Sequence, residues 1–148
     1  LGEAQSTLAP KGSVIGEARA NQIYVDTIKF KLANAAGALS VDLASTKTLL
    51  TYSDDSQSVT AVFLATAGGS GVCAVAGAKV CWKTTWLLGS GDTIDAGEVV
   101  EFTVDLTALT TTLSKNTRFK IEVIPESGAV VPISRTTPLE IKPVMNLD

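Results

Sequence analysis

The sequence predicts an all-β protein, an antiparallel immunoglobulin-like β-sandwich preceded by the C-terminal end of a helix. Three observations carry that expectation. Within residues 119–123, Phe119, Ile121 and Val123 fall on one face while Lys120 and Glu122 fall on the other, the period of a strand with one side buried. About ten short segments of this kind follow one another, separated by turn compositions such as Asp54-Asp55-Ser56, Gly89-Ser90-Gly91-Asp92 and Ala96-Gly97, a spacing that favours a sandwich over a barrel. At the start, Leu1, Ala4 and Leu8 recur at helical spacing until Pro10 and Gly12 break the pattern.

The division that follows is residues 1–10 as the tail of an N-terminal helix and residues 11–148 as the sandwich. A helix of nine residues is marginal alone, since isolated helices shorter than about 12 residues rarely hold in water. Residues 1–9 therefore read as the last turns of a longer helix, and a first residue Leu1 in place of Met reads as a processed product or a fragment. Strand periodicity begins near Val14. Ile23 and Val25 lie in odd register and Ile28, Phe30 and Leu32 in even register, a one-residue slip near Thr27 that a β-bulge would supply.

Residues 34–37 read as a turn. Further strands are expected over residues 47–53, 58–64, 72–75, 79–88, 98–106, 117–124, 130–134 and 139–142. Val100, Phe102, Val104 and Leu106 alternate cleanly against Glu101, Thr103 and Asp105. Residues 105–114 are ambiguous. Leu106, Leu109 and Leu113 fit one helical face, whereas the repeated threonines at 107, 110, 111 and 112 oppose a helix through β-branching.

Composition narrows the function. A chain of 148 residues is the usual size of one domain and can bury a substantial core. Its net charge of −3 leaves no electrostatic footprint for nucleic acid and no basic cluster for an anionic membrane. Histidine is absent, which removes the commonest general base and metal ligand, so no enzyme and no cofactor are expected. The longest apolar run, residues 71–82, is interrupted by Lys79 and is too short to span a bilayer.

Cys73 and Cys81 flank a segment centred on Gly77, and a hairpin turning there would set them opposite each other, a geometry that suits a disulfide and an oxidising location. The alternative is two small buried thiols. Asp92 and Asp95, followed by Glu98, are weak candidates for holding a hard cation. The spacing is not that of an EF-hand, and solvated turn carboxylates explain it more simply. As paired acids for glycoside hydrolysis two of these carboxylates would have to meet in a cleft. Trp82 and Trp86 share strand parity, so they either pack in the core or form a sugar platform. A chain this poor in aromatics needs them inside. Nucleophile-elbow, phosphate-loop and Asn-x-Ser/Thr patterns are all absent from the sequence.

Several blocks taken together resemble archaellins, the archaeal flagellins that build the archaellum filament. They are the helical tail ending at Pro10, Ile28-Lys29-Phe30-Lys31-Leu32-Ala33, Val41-Asp42-Leu43, Leu50-Thr51-Tyr52-Ser53, the loop of residues 91–98, and residues 119–138. The resemblance implies a β-sandwich outer domain carried on a long hydrophobic N-terminal helix, most of which would be missing here. It also implies a structural subunit that self-assembles with like subunits into an extracellular helical motility filament, with no nucleic acid partner and no membrane in the assembled state. Leu1, Ala4 and Leu8 would then continue the face of the core helix, and the sandwich would add subunit contacts. The alternative is an extracellular immunoglobulin-like carbohydrate-binding domain or a pilin-type adhesin, which requires Trp82 and Trp86 exposed on one sheet face.

Overall fold

The computed structural model describes residues 8–18, 23–35, 39–44, 46–63, 77–126 and 129–148. No helix occurs among the described residues. In chain order the strands are β1 (Leu8–Glu17), β2 (Tyr24–Val25), β3 (Thr27–Asn34), β4 (Val41–Asp42), β5 (Thr48–Asp54), β6 (Ser58–Thr60) and β7 (Val62–Phe63). They continue with β8 (Cys81–Leu88), β9 (Thr93–Ile94), β10 (Val99–Asp105), β11 (Leu113–Ser114), β12 (Arg118–Pro125), β13 (Val131–Thr136) and β14 (Val144–Asn146).

Two sheets form the sandwich. The larger has the order β14-β1-β3-β10-β8-β7 and the smaller the order β13-β12-β5-β6. All pairings are antiparallel except β7 with β8. Two-stranded ribbons, β4 with β9 and β11 with β2, complete the fold.

The alternation read from the sequence sets the core. Ile28, Phe30 and Leu32 of β3 and Val100, Phe102 and Val104 of β10 are buried, as are Leu50 and Tyr52 of β5 and Phe119, Ile121 and Val123 of β12. Register matches these residues pairwise: Phe102 lies opposite Phe30, and Ile121 lies opposite both Tyr52 and Ile133. Cross-strand packing on the buried face therefore draws the strands together in one register, because a one-residue slip would turn every apolar side chain outward.

Aromatic rings run across the larger sheet from β3 to β7. Phe30 stacks on Phe102 at 5.2 Å, Phe102 on Trp82 at 5.5 Å, and Trp82 meets Phe63 at 4.6 Å with a tilt of 60°. On the smaller sheet Tyr52 stacks on Phe119 at 6.4 Å. The Tyr52 hydroxyl donates to Asp54 Oδ2 at 2.7 Å. Burial first, and then the Asp54 carboxylate, push the phenol far above its usual range. The Asp54 carboxylate also accepts from the Ser56 and Gln57 amides, so the same group closes the β5–β6 turn.

The sides of the sandwich are closed by different devices. On one side the chain changes sheets at Ala61: its amide donates to Leu50 of the smaller sheet, and the next amide, Val62, donates to Val80 beside β8. On the other side Arg135 Nε of β13 pairs with Asp148 Oδ1 at 3.2 Å, and that carboxylate also accepts the Val14 amide of β1. The Val14 amide, then the Ser13 hydroxyl, hold Asp148 below the usual carboxylate range.

Three local expectations need correction. Leu8, Ala9 and Pro10 do not end a helix; they open β1, where Leu8 pairs with Asn34 and is buried, so Leu8 belongs to the sandwich core and not to a helix face. The physical reason is that β1 finds a partner in β3 on both sides of a bulge, from Leu8 to Lys11 and from Ile15 to Glu17, and long-range pairing overrides a three-residue helical period. Leu1 and Ala4 lie outside the described residues. The slip near Thr27 is a change of sheet, not a bulge. At Asp26 the chain passes from β2, paired with β11, to β3, and the Asp26 backbone is tied at that crossing to Glu17 and Leu106.

The bulge is in β1 instead, between Lys11 and Ile15, where Gly12 adopts φ +75°. The last expected strand, residues 139–142, is displaced to β14, because Val144, Met145 and Asn146 are the residues that reach β1. Residues 105–114 form turns and the short strand β11, and Leu106, Leu109 and Leu113 are buried without a helix. The expected strand over residues 72–75 lies outside the described residues.

Trp82 sits at the middle of the ring series with 2% of its surface exposed. Trp82→Ala should therefore destabilise the fold by about 3–5 kcal/mol, the range for emptying a buried aromatic site. Urea unfolding would check this, and a loss below about 1 kcal/mol would contradict a packed site.

Candidate assembly surface

With both inner faces committed to the core, the groups free to meet other molecules are the outer faces and the two ends. The first end is built from residues 39–44 and 89–98. Leu43 donates to the Asp92 carbonyl at 2.7 Å, the ribbon β4–β9 pairs Val41 with Ile94, and the Asn34 amide group donates to Leu39 and Ile94 carbonyls. Asn34 thus ties both loops to the end of β3.

Four carboxylates converge on this end: Asp42, Asp92, Asp95 and Glu98. Asp95 accepts the Ser40 hydroxyl at 2.5 Å, Asp42 accepts the Ala44 amide, and Glu98 accepts the Asp95 amide at 2.7 Å. Gly89 is required beneath Glu98: its φ is +124°, and a Cβ there would run into the Glu98 carboxylate. Among the described residues none of the four carboxylates takes part in an ion pair, and Leu39, Leu87 and Leu88 are exposed beside them. The β8–β10 register shifts between Val99 and Val100, which leaves Leu87 unmatched and lets Leu87 and Leu88 both stand exposed.

Asp92 and Asp95 therefore share one loop end, but their oxygens serve turn hydrogen bonds or face solvent. Among the described residues no group of three or more potential ligand side chains is placed to hold a metal ion.

The opposite end carries charges of both signs. Thr137 organises it: the buried hydroxyl accepts the Thr117 amide at 2.9 Å and donates to the Ser114 carbonyl at 2.6 Å, while the Asn116 amide donates to Pro138. Around this network Lys79, Lys115, Arg118 and Lys142 are exposed, against the exposed carboxylates Asp55 and Glu140. Ile23 and Leu139 are also exposed here, at 73% and 75%.

Three further acids, Glu17, Asp26 and Asp105, are buried at this end. Lys29 pairs with Glu17 at 3.3 Å. Asp105 is pushed above its ordinary range, chiefly by burial and further by nearby Asp26, while the Thr107 hydroxyl and amide, and Lys83, work in the other direction.

Of the two tryptophans, Trp82 is in the core, and Trp86 is half-buried against it with its indole N–H donated to the Gly91 carbonyl at 2.7 Å. The sugar platform, which needed both rings on an exposed face, is not formed. Cys81 is fully buried and disulfide-bonded, and Cys73, the other cysteine of the sequence, lies outside the described residues.

A model of the archaeal-type flagellin family matches residues 1–135. The chain belongs to this family. As an archaeal-type flagellin it is a structural subunit of the archaellum filament, a surface appendage that lies outside the cell.

Solved structures agree in fold. Archaeal flagellin FlaB1 from Methanocaldococcus jannaschii superposes with a TM-score of 0.77 at 18% identity, covering 96% of each chain. The archaeal flagellum of Methanospirillum hungatei strain JF1 gives 0.61 at 16% identity, over 94% of this chain and 71% of that one. The archaellum periplasmic stator protein FlaG from Sulfolobus acidocaldarius gives 0.54 at 15% identity, over 87% and 98%. No curated protein matches.

Sequence reasoning found Asp92 and Asp95 but did not join them to Asp42, and it did not foresee the gathering of exposed cations at the other end. Lys79, Lys115, Arg118 and Lys142 are scattered over more than sixty positions of sequence, and only the topology collects them.

The Asp105 shift gives a pH test. Its folded-state pKa lies above the unfolded value, so the fold binds this proton more readily and its charged form opposes folding near neutrality. That opposition fades as pH falls through the folded pKa and is gone below the ordinary value of 3.8. Asp105→Asn, which keeps an acceptor for Thr107, should be more stable than the parent at pH 7. The gap should shrink as pH falls toward 4. Urea unfolding at a series of pH values checks this, and a gap that widened on acidification would refute it.

Proposed function

We propose that the sandwich packs laterally against copies of itself and forms the outer, extracellular surface of a homopolymeric swimming filament, without catalysis and without a cofactor. The observation that carries this reading is the family match, which spans the strands from β1 to nearly the end of β13. A sandwich whose aromatic residues fill its interior, leaving charged ends and outer faces, suits a packing unit better than a binding cleft.

The disulfide at Cys81 supports an oxidising, extracellular location, since such bonds persist outside reducing compartments. We assign its partner as Cys73, the other cysteine in the sequence. A carbohydrate-binding role is disfavoured by the burial of Trp82.

Two measurements test the proposal. Full-length protein, processed and assembled in its host, should appear in filaments by electron microscopy carrying an epitope or mass signature of this chain; its consistent absence from them would overturn the filament role. Alkylation followed by intact mass should label neither cysteine before reduction and both after it. Labelling of both thiols in unreduced protein would refute the Cys73–Cys81 bond.

A further inference from the structure

We infer that the outer face of the smaller sheet is the lateral contact by which one copy of this chain packs on the next in the filament. The inference rests on the filament reading and names the face that would be covered. Strand register fixes which side chains share it. Thr51 and Ser53 of β5 lie opposite Thr60 and Ser58 of β6, while Ser134 and Thr136 of β13 lie opposite Lys120 and Arg118 of β12. Where β5 begins, Leu49 lies opposite Ile124 and is 52% exposed, and Pro132 and Val130 are exposed on the other side of Ile124. Leu49 and Ile124 thus stand at the outward positions of an alternating pattern, where solvated residues are the rule.

The two broad faces of the sandwich differ in charge. Among the outward positions of the smaller sheet only Arg118, Lys120 and Glu122 are charged, and Lys120 pairs with Glu122 at 3.6 Å. The outer side of the larger sheet carries Lys11, Lys29, Lys31 and Lys83 with Glu17, Glu101 and Asp105. Charged residues are depleted at the centres of protein interfaces, and ordering long lysine and glutamate side chains costs the most rotamer entropy. Short hydroxyl side chains lose little and still bond across a contact. The smaller sheet therefore offers the face that is easier to cover.

Its chemistry and size select the occupant. The aromatic residues of these strands, Tyr52 and Phe119, are buried on the inner side, so the face has no ring on which a sugar could stack. Two cations beside one carboxylate supply no field for an anionic polymer or membrane. Four strands about 4.8 Å apart and some seven residues long at about 3.3 Å each give a face on the order of 400 Å², below the roughly 800 Å² that each partner of a stable lone pair buries. Such a contact does not hold an isolated dimer. It becomes effective where each subunit meets several neighbours at once, and a filament of like subunits provides that multivalency. A second copy is therefore the occupant, met through a different surface of that copy, because heterologous contacts propagate into an open helical array whereas a two-fold contact closes on itself.

The lysines on the two faces make the test direct. Filaments of the full-length chain, and subunits dissociated from them, would be treated with an amine-acylating reagent and digested for mass spectrometry. Acylation of Lys120, whose side chain is 48% exposed in the subunit, is expected to fall severalfold on assembly, while Lys31 and Lys83 label alike in both states. In parallel, Leu49→Arg with Thr51→Arg should abolish filaments without lowering the unfolding midpoint of the subunit. Thr85→Arg, on the outer side of the larger sheet, should assemble like the parent.

Equal labelling of Lys120 in filaments and subunits, or a folded Leu49→Arg, Thr51→Arg chain that assembles like the parent, would overturn the inference while leaving the filament role standing. Loss of filaments with Thr85→Arg as well would overturn it too, since the effect would not belong to one face. Should the double variant fail to fold, the labelling of the unmodified chain still decides. Absence of the unmodified chain from filaments altogether would instead remove the reading on which the inference rests.

Discussion

The ring series from Phe30 through Phe102 and Trp82 to Phe63 is the interaction on which the rest of the structure depends. Four of the eight aromatic residues of a chain that is only 5% aromatic are spent on one sheet, crossing β3, β10, β8 and β7 in order. Each pair contributes about 0.5–1.5 kcal/mol beyond the area it buries. More important than the sum is what it specifies. Rings of this size meet only when the strands hold one register, so the series locks β10 between β3 and β8 and draws the short parallel strand β7 onto the edge.

That commitment has consequences outside the core. With the inward positions of β3, β10, β12 and β5 taken by apolar side chains, polar residues are left to the outer faces and ends. The sheet crossing at Ala61 and the Arg135–Asp148 pair close the sides. What remains open is the pair of loop clusters at the strand termini, where Asn34 anchors one and Thr137 the other. Each anchor is a short polar side chain held by backbone partners from distant segments, which makes the loops rigid platforms for the charges they carry.

A net charge of −3 hides the acidic loop end, because the other charges of the chain nearly cancel. The outer face of the larger sheet is less polarised: Lys29 is paired with Glu17, and Lys31 lies opposite Glu101 in the ladder. One sign prevails only at the end built from residues 39–44 and 89–98, where Asp42, Asp92, Asp95 and Glu98 gather.

The all-β class, the strands β3, β5, β8, β10, β12 and β13, and the buried faces of β3, β10 and β12 were legible in the sequence, because period-two alternation is a local property that reports which side of a strand is wet. The core position of Trp82 was legible for a related reason, scarcity of other large side chains. The role of Leu8 was not legible. Three apolar residues at helical spacing cannot reveal that β3 offers a partner to Leu8 and the residues after it. Nor could the change of sheet at Asp26 be told from a bulge, since both shift the alternation by one residue. The two charged ends lay beyond sequence alone for the same physical reason: they are assembled from residues far apart in the chain, and only the pairing of strands into two sheets decides which loops share an end.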